Sequence, residues 1–214
     1  MKEIEDNQHR QWESVFAEEP DLYGTEASGP ARNAASLFAG ARAVRILELG
    51  GGQGRDTLYL ARQGFSVTVL DYSERGITAI REKAKGLPGP VTALHHDVRR
   101  PLPFADGSFD GCFSHMLYCM ALTTAELAEL SREVRRVLRT GGYQLFTVRN
   151  TDDPHYGLGI HRGEEIYETG GFAVHFFSRA KVVQLAEGFD ILGIDEVEEG
   201  ELPRKLFQVT LRKA

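Results

Sequence analysis

Sulfur chemistry is nearly missing from this sequence. Its 214 residues hold two cysteines, Cys112 and Cys119, and these form no C-x-x-C pair. A disulfide framework and a cysteine-ligated metal site are therefore not expected. No apolar run approaches the ~20 residues that a membrane-crossing helix requires. The opening Met1-Lys2-Glu3-Ile4-Glu5-Asp6 lacks the apolar core of a secretory signal, so a cytoplasmic protein with reduced thiols is the expectation. Positive charge is not in excess: 25 Lys and Arg against 31 Asp and Glu leave a net charge of -6. That balance argues against general binding to nucleic acid or to an anionic membrane. His95 and His96 are adjacent and point to opposite faces of a strand, a poor metal pair, so no metal is expected. There is no internal repeat and no low-complexity tract.

What is present suits one domain spanning 1-214, with 42% hydrophobic and 26% charged residues. The chain is organised around Val44-Arg45-Ile46-Leu47-Glu48-Leu49-Gly50-Gly51-Gly52-Gln53-Gly54-Arg55-Asp56-Thr57. A short apolar run stops at four glycines and an amphipathic segment follows, which reads as strand, tight loop and helix. Gly50, Gly52 and Gly54 leave bare backbone at the carboxyl end of the strand, where open parallel sheets bind ligands. The spacing is G-x-G-x-G, because Arg55 stands where the dinucleotide fingerprint needs its third glycine. Glu48 sits two residues before Gly50, where a carboxylate suits a cation better than a pyrophosphate. The next β-rich run, Ser66 to Leu70, ends at Asp71, 21 residues after Gly50. An acid there either caps the following helix or holds both hydroxyls of a ribose, and the glycine loop favours the ribose.

With its acid, spacer and G-x-G-x-G, the chain resembles the class I methyltransferases that use S-adenosylmethionine (SAM). The run Leu102-Pro103-Phe104-Ala105-Asp106-Gly107-Ser108-Phe109-Asp110 resembles the L-P-F-x-D-x-S-F-D signature of the small-molecule branch, including tellurite-resistance-like and type 11/25-like enzymes. The resemblance covers residues 42 to 214 and is strongest from 44 to 150. It implies an α/β fold, a Rossmann-like three-layer α/β/α sandwich whose seven-stranded sheet is mostly parallel with an antiparallel last strand. It also implies SAM as cofactor, contacted by Glu48, Gly50, Gly51, Gly52, Gly54, Asp71, Tyr72, Asp97, Val98 and Ser114.

Along the rest of the chain, residues 1-40 read as helical, carrying Trp12, Phe16 and Tyr23 with breaks at Pro20 and Gly24: an amphipathic helix packed on the core or, as the resemblance implies, an N-terminal helical lid over the cofactor. Thr123-Thr124-Ala125-Glu126 offers a capping box for a helix that Gly141-Gly142 would stop. Residues 151-177 form a connection longer than structure alone needs, read as an insertion on the substrate side that contains a hairpin around Gly170-Gly171. The strands Ile191 to Val197 and Leu206 to Leu211 are joined by a link from Glu198 to Pro203.

The expected reaction is methyl transfer to a small-molecule nucleophile, with no nucleic-acid or membrane partner. His115, just past the fourth strand, is the candidate base. Tyr118, Asn150, His155, Tyr156 and His175 are the candidate acceptor contacts, with His161 in the same connection. Other possibilities are an NAD-type oxidoreductase, disfavoured by Arg55 and Glu48; a methyltransferase acting on protein or RNA; and a SAM-binding module without turnover.

Overall fold

The computed structural model describes residues 2–19, 22–199 and 204–214. Among them, sixteen elements follow in order: α1 (Lys2–Glu18), α2 (Gly29–Gly40), β1 (Arg45–Leu49), α3 (Arg55–Arg62), β2 (Ser66–Asp71), α4 (Glu74–Lys83), β3 (Val91–His95), β4 (Phe109–His115), α5 (Thr124–Val137), β5 (Leu138–Arg149), β6 (Ile160–His161), β7 (Ile166–Thr169), β8 (Phe172–His175), α6 (Arg179–Leu185), β9 (Phe189–Glu199) and β10 (Arg204–Lys213).

Seven strands form one sheet in the order β3-β2-β1-β4-β5-β10-β9. β1 runs parallel to β2 and β4, and β5 parallel to β4, whereas β10 is antiparallel to both β5 and β9. The chain moves outward from β1 to β3, then returns to β4 on β1's other side. That reversal opens a crevice at the carboxyl ends of β1 and β4, the place where doubly wound sheets bind ligands.

Alternation along each strand builds the two outer layers. Ile46, Val67, Phe113 and Leu145 point to the face covered by Ala31, Ala34 and Phe38 of α2 and by Leu60 and Ala61 of α3. Val69 and Ala93 meet Ile77 and Ile80 of α4. Leu47, Leu49, Cys112, Phe146 and Val148 face the other way, against Leu127, Leu130 and Val134 of α5 and Val182 and Leu185 of α6. Among the described residues, no helix is long and apolar enough to cross a membrane.

Local signals set several boundaries. Gly64 takes the left-handed conformation (φ 90°) just beyond α3. Thr123 and Glu126 form the capping box: the Glu126 N–H donates to Thr123 Oγ1 (3.2 Å) and the Thr123 N–H to Glu126 Oε2 (2.7 Å). Gly170 and Gly171, both at positive φ (57° and 79°), turn β7 into β8. One boundary differs from expectation. α5 ends at Val137, before Gly141-Gly142, because Leu138 is already extended (φ -74°, ψ 139°) and pairs with Phe109 of β4. Gly24 is at positive φ (69°), while Pro20 and residues 200–203 of the β9–β10 link lie outside the described residues.

Candidate functional site

The glycine loop is pinned from below by β2 and α4. A side chain at Gly51 would begin 2.3 Å from Val69 Cγ2, so only glycine lets the loop lie on β2. Gly52 adopts φ 53°, a left-handed conformation that costs a branched residue dearly. Its N–H donates to Asp71 Oδ2 (2.8 Å), and the Ser73 N–H donates to Asp71 Oδ1 (2.8 Å). Asp71 thus ties the loop to β2 with one donor per oxygen, leaving lone pairs on each.

Above this floor lies a cavity of about 1040 Å³. Glu48, Gly50, Gly51, Gly52, Asp71, Tyr72, His96, Asp97 and Val98 line its inner part. Glu48 is buried and its Oε2 has no hydrogen-bond partner. Burial, aided by the nearby Asp56 and Asp71 carboxylates, pushes the Glu48 carboxyl up to about 8. Asp97 is clamped by Arg99, whose Nη2 donates to Oδ2 at 2.7 Å and whose backbone N–H donates to Oδ1 at 3.0 Å.

α1 supplies Gln8, Trp12, Val15 and Phe16 to the cavity wall. It is tied down near its middle and just past its last turn. Gln53 Nε2, in the glycine loop, donates to Glu19 O (2.8 Å), and Gln8 Nε2 donates to Ala173 O in β8 (3.2 Å). Trp12 packs against Phe16, Tyr23 and Phe172, with centroids 5.1 to 6.4 Å apart. Met116, Leu117, Met120 and Val174 complete the apolar walls.

The outer end of the cavity is polar. His115 Nδ1 meets Thr147 Oγ1 at 2.8 Å, and Nε2 meets Glu199 Oε2 at 2.8 Å. Glu199 Oε1 lies 4.0 Å from Arg55 Nη2. Burial opposes charge on Glu199, yet the His115 hydrogen bond and the Arg55 guanidinium hold it below the usual carboxylate range. Arg55 is held in turn by Asp56, its Nη2 donating to Oδ2 at 2.9 Å, and stands 5.8 Å from the Tyr23 ring centroid. Arg204 lines the same end. Glu199 and Arg204 belong to strands that run past their sequence-based limits, and nothing in the acid-rich stretch around Glu199 marked it.

The structure scatters the other candidates. Tyr118 is buried in the core, stacked on Phe146 (4.6 Å), its hydroxyl accepting from Gln144 Nε2 (2.8 Å). Asn150 Oδ1 accepts from the Asp152 N–H in a local turn (3.0 Å). His155 Nδ1 faces Arg149 Nη2 (2.6 Å), and Tyr156 donates to Glu165 while packing edge-on to Tyr167. His161 stacks on Tyr167 (4.9 Å). His175 is buried, its Nδ1 donating to Leu122 O (2.7 Å) and its Nε2 meeting Lys181 Nζ; burial drives it down to about 4. None of these six lines the cavity. Their polar groups are engaged elsewhere: His155 with Arg149 of β5, His175 with Leu122 and Lys181, and Tyr156 and His161 within the long connection itself. Of the cofactor residues, Gly54 and Ser114 also lie off the cavity wall. Ser114 donates to Leu49 O (3.2 Å) and so bonds β4 to β1.

Residues 46–142 match the family described as "Methyltransferase domain". A malonyl-[acyl-carrier protein] O-methyltransferase from Erwinia pyrifoliae is 37% identical over 110 residues, covering 49% of this chain and 37% of that protein. The chain spans less than half the length of the curated relatives it matches. A Burkholderia thailandensis 1,6-didemethyltoxoflavin-N1-methyltransferase, solved with bound 1,6-didemethyltoxoflavin and S-adenosylhomocysteine, superposes with a TM-score of 0.78 at 18% identity, over 100% of this chain and 90% of that one. TehB from Haemophilus influenzae gives 0.70 at 19% identity, over 95% and 67%. Residues 46–142 therefore match a methyltransferase domain, and the chain carries the fold of the methyltransferases on which it superposes.

Proposed function

We propose that the chain binds SAM over the glycine loop and transfers its methyl group to a small-molecule nucleophile, releasing S-adenosylhomocysteine (SAH). The proposal rests on Glu48. A buried carboxyl with an unpartnered oxygen is costly unless a cation completes it, and SAM brings an ammonium and a sulfonium to this end of the molecule. Glu48 and the backbone of Gly50, Gly51 and Gly52 would hold the amino-acid half. Asp71 would take the ribose hydroxyls on its remaining lone pairs, with Tyr72 beside it. Asp97 and Val98 would border the adenine, Asp97 sharing its carboxylate with Arg99. Once bound, SAM supplies a methyl group already activated on sulfur.

The chain's own contribution is alignment and exclusion of water, which supplies roughly 7–11 kcal/mol in well-oriented reactions. Trp12, Phe16, Phe172 and Met120 serve the second purpose. The cavity, at about 1040 Å³, is as large as the upper end of ordinary small-molecule sites. That size supports a nucleoside and a modest acceptor side by side. Its apolar walls and the net charge of -6 favour a small organic acceptor over a nucleic acid.

The test is calorimetry with SAM, SAH and NAD, followed by an assay of SAH release across amines, thiols, phenols, carboxylates and oxyanions. The expected result is binding of the two sulfur nucleosides and turnover of at least one small acceptor. Binding of NAD alone would refute the proposal.

A further inference from the structure

Glu199 reaches the site from the far end of the molecule. β9 lies at the edge of the sheet, beyond β10, yet its last residue meets His115 at the end of β4. Thr147 Oγ1 accepts the Met116 N–H (3.0 Å) and lies 2.8 Å from His115 Nδ1, while Glu199, at Nε2, is a carboxylate and can only accept. Nε2 of a neutral His115 then carries the ring proton and donates it to Glu199 Oε2. Met116 holds a left-handed backbone (φ 66°) at this corner, a strained conformation of the kind that persists where surrounding bonds over-determine it. With both nitrogens of His115 engaged, the open proton acceptor at this end of the cavity is Glu199 Oε1, whose nearest cation, Arg55, stands at 4.0 Å.

We propose that Glu199 is the general base of the reaction, that His115 and Thr147 are its positioning residues, and that the acceptor is a hydroxyl or a heteroaromatic N–H on an apolar body. This rests on the methyltransferase proposal above. In the step, a lone pair of the acceptor atom forms the bond to the methyl carbon, and the electron pair of the carbon–sulfur bond stays on sulfur. The acceptor's proton passes to Glu199 Oε1. A carboxylate is a weak base, and this selects the acceptor. Oxygen or ring nitrogen gains positive charge as it takes the methyl group, and its proton becomes acidic enough for a weak base. An aliphatic ammonium, which must lose its proton before it can attack, is too weak an acid for Glu199. The charged and titratable groups around Glu199 are His115 from β4, Arg55 and Asp56 from α3, Tyr23 ahead of α2, and Arg204 from β10.

The experiment compares wild type with Glu199→Gln and Thr147→Val. SAM affinity is measured by calorimetry, SAH release is followed from pH 5.5 to 9 with phenols, alcohols, hydroxyquinolines, azoles, aliphatic amines, thiols and carboxylates, and the His115 ring is observed by long-range proton–nitrogen NMR. Glu199→Gln is expected to bind SAM within about twofold of wild type and to lose roughly 10²-fold or more in turnover, the usual scale for a general base. Its residual rate should climb with pH as the acceptor ionises unaided, which a structural defect does not produce. The NMR spectrum should show the Nε2–H tautomer in wild type, with that preference weakened in Thr147→Val. The proposal is overturned by wild-type turnover in Glu199→Gln, by the Nδ1–H tautomer in wild type, or by methylation confined to amines, thiols or carboxylates. It is equally overturned if SAM binds and no hydroxyl or ring N–H is methylated. If SAM fails to bind, the cofactor assignment itself falls.

Discussion

Removing the charge at Glu48 should stabilise the protein while it has no ligand, and increasingly so as the pH rises. The folded state holds the Glu48 proton up to about pH 8, against an ordinary value of 4.5. Between these values the unfolded chain is ionised and the folded one is not, so stability falls as pH increases through the window and is level above it. Each pH step of one within that window costs ~1.4 kcal/mol, so the wild-type penalty is about 3 kcal/mol at pH 7 and reaches roughly 5 kcal/mol above pH 8. Glu48→Gln keeps the shape of the protonated side chain and escapes the penalty. For a chain of this size, about 3 kcal/mol corresponds to a Tm increase of roughly 6–12 °C. Thermal melts of both proteins from pH 5 to 9, without ligand, should nearly coincide at pH 5, separate steadily up to about pH 8 and run parallel above it. The same variant should bind SAM at least tenfold more weakly, since the cation loses its counter-charge. Parallel melting profiles across the whole range would refute the reasoning.

Three further outcomes are expected. Gly51→Ala places a methyl group 2.3 Å from Val69 Cγ2, and should lower stability by ~1–3 kcal/mol, read by urea unfolding, because the loop must lift from β2. Trp12 is the sequence's single tryptophan and forms part of the cavity wall, so its fluorescence should change on titration with SAH; an unaltered spectrum at saturation places the nucleoside elsewhere. His175 is depressed by burial to about 4 from 6.5. Its neutral form therefore favours folding above pH 6.5, and the contribution is lost as pH falls toward 4, by up to ~3 kcal/mol; His175→Gln should flatten the acid side of the stability curve.

The loop proposed to hold the nucleoside was legible in the sequence because backbone and two spaced acids carry its chemistry. Glycines at 50 and 52 and acids at 48 and 71 have few other reasons to recur at that spacing beside β-rich runs. The acceptor half is built from side chains brought together by topology, and spacing carries no signal for that. Glu199 lies two residues past the strand read as Ile191 to Val197, in the acidic link, yet pairing with β10 extends the strand to the cavity. Arg55 registered only as a mismatch to a dinucleotide loop. The histidines of the long connection drew attention as a cluster, and the structure ties His155 to Arg149 and His175 to Lys181. Composition shows that imidazoles are near one another in sequence, not whether their nitrogens are already engaged.

Because β10 is threaded between β5 and β9, the sheet cannot be completed from one edge outward. Until β10 docks, the Tyr143–Arg149 stretch of β5 presents bare N–H and C=O groups, an open template for another chain. The same docking draws the end of β9 over β4. The molecule therefore covers the open edge of β5 and brings Glu199 to the cavity in a single event, so a half-assembled chain has neither.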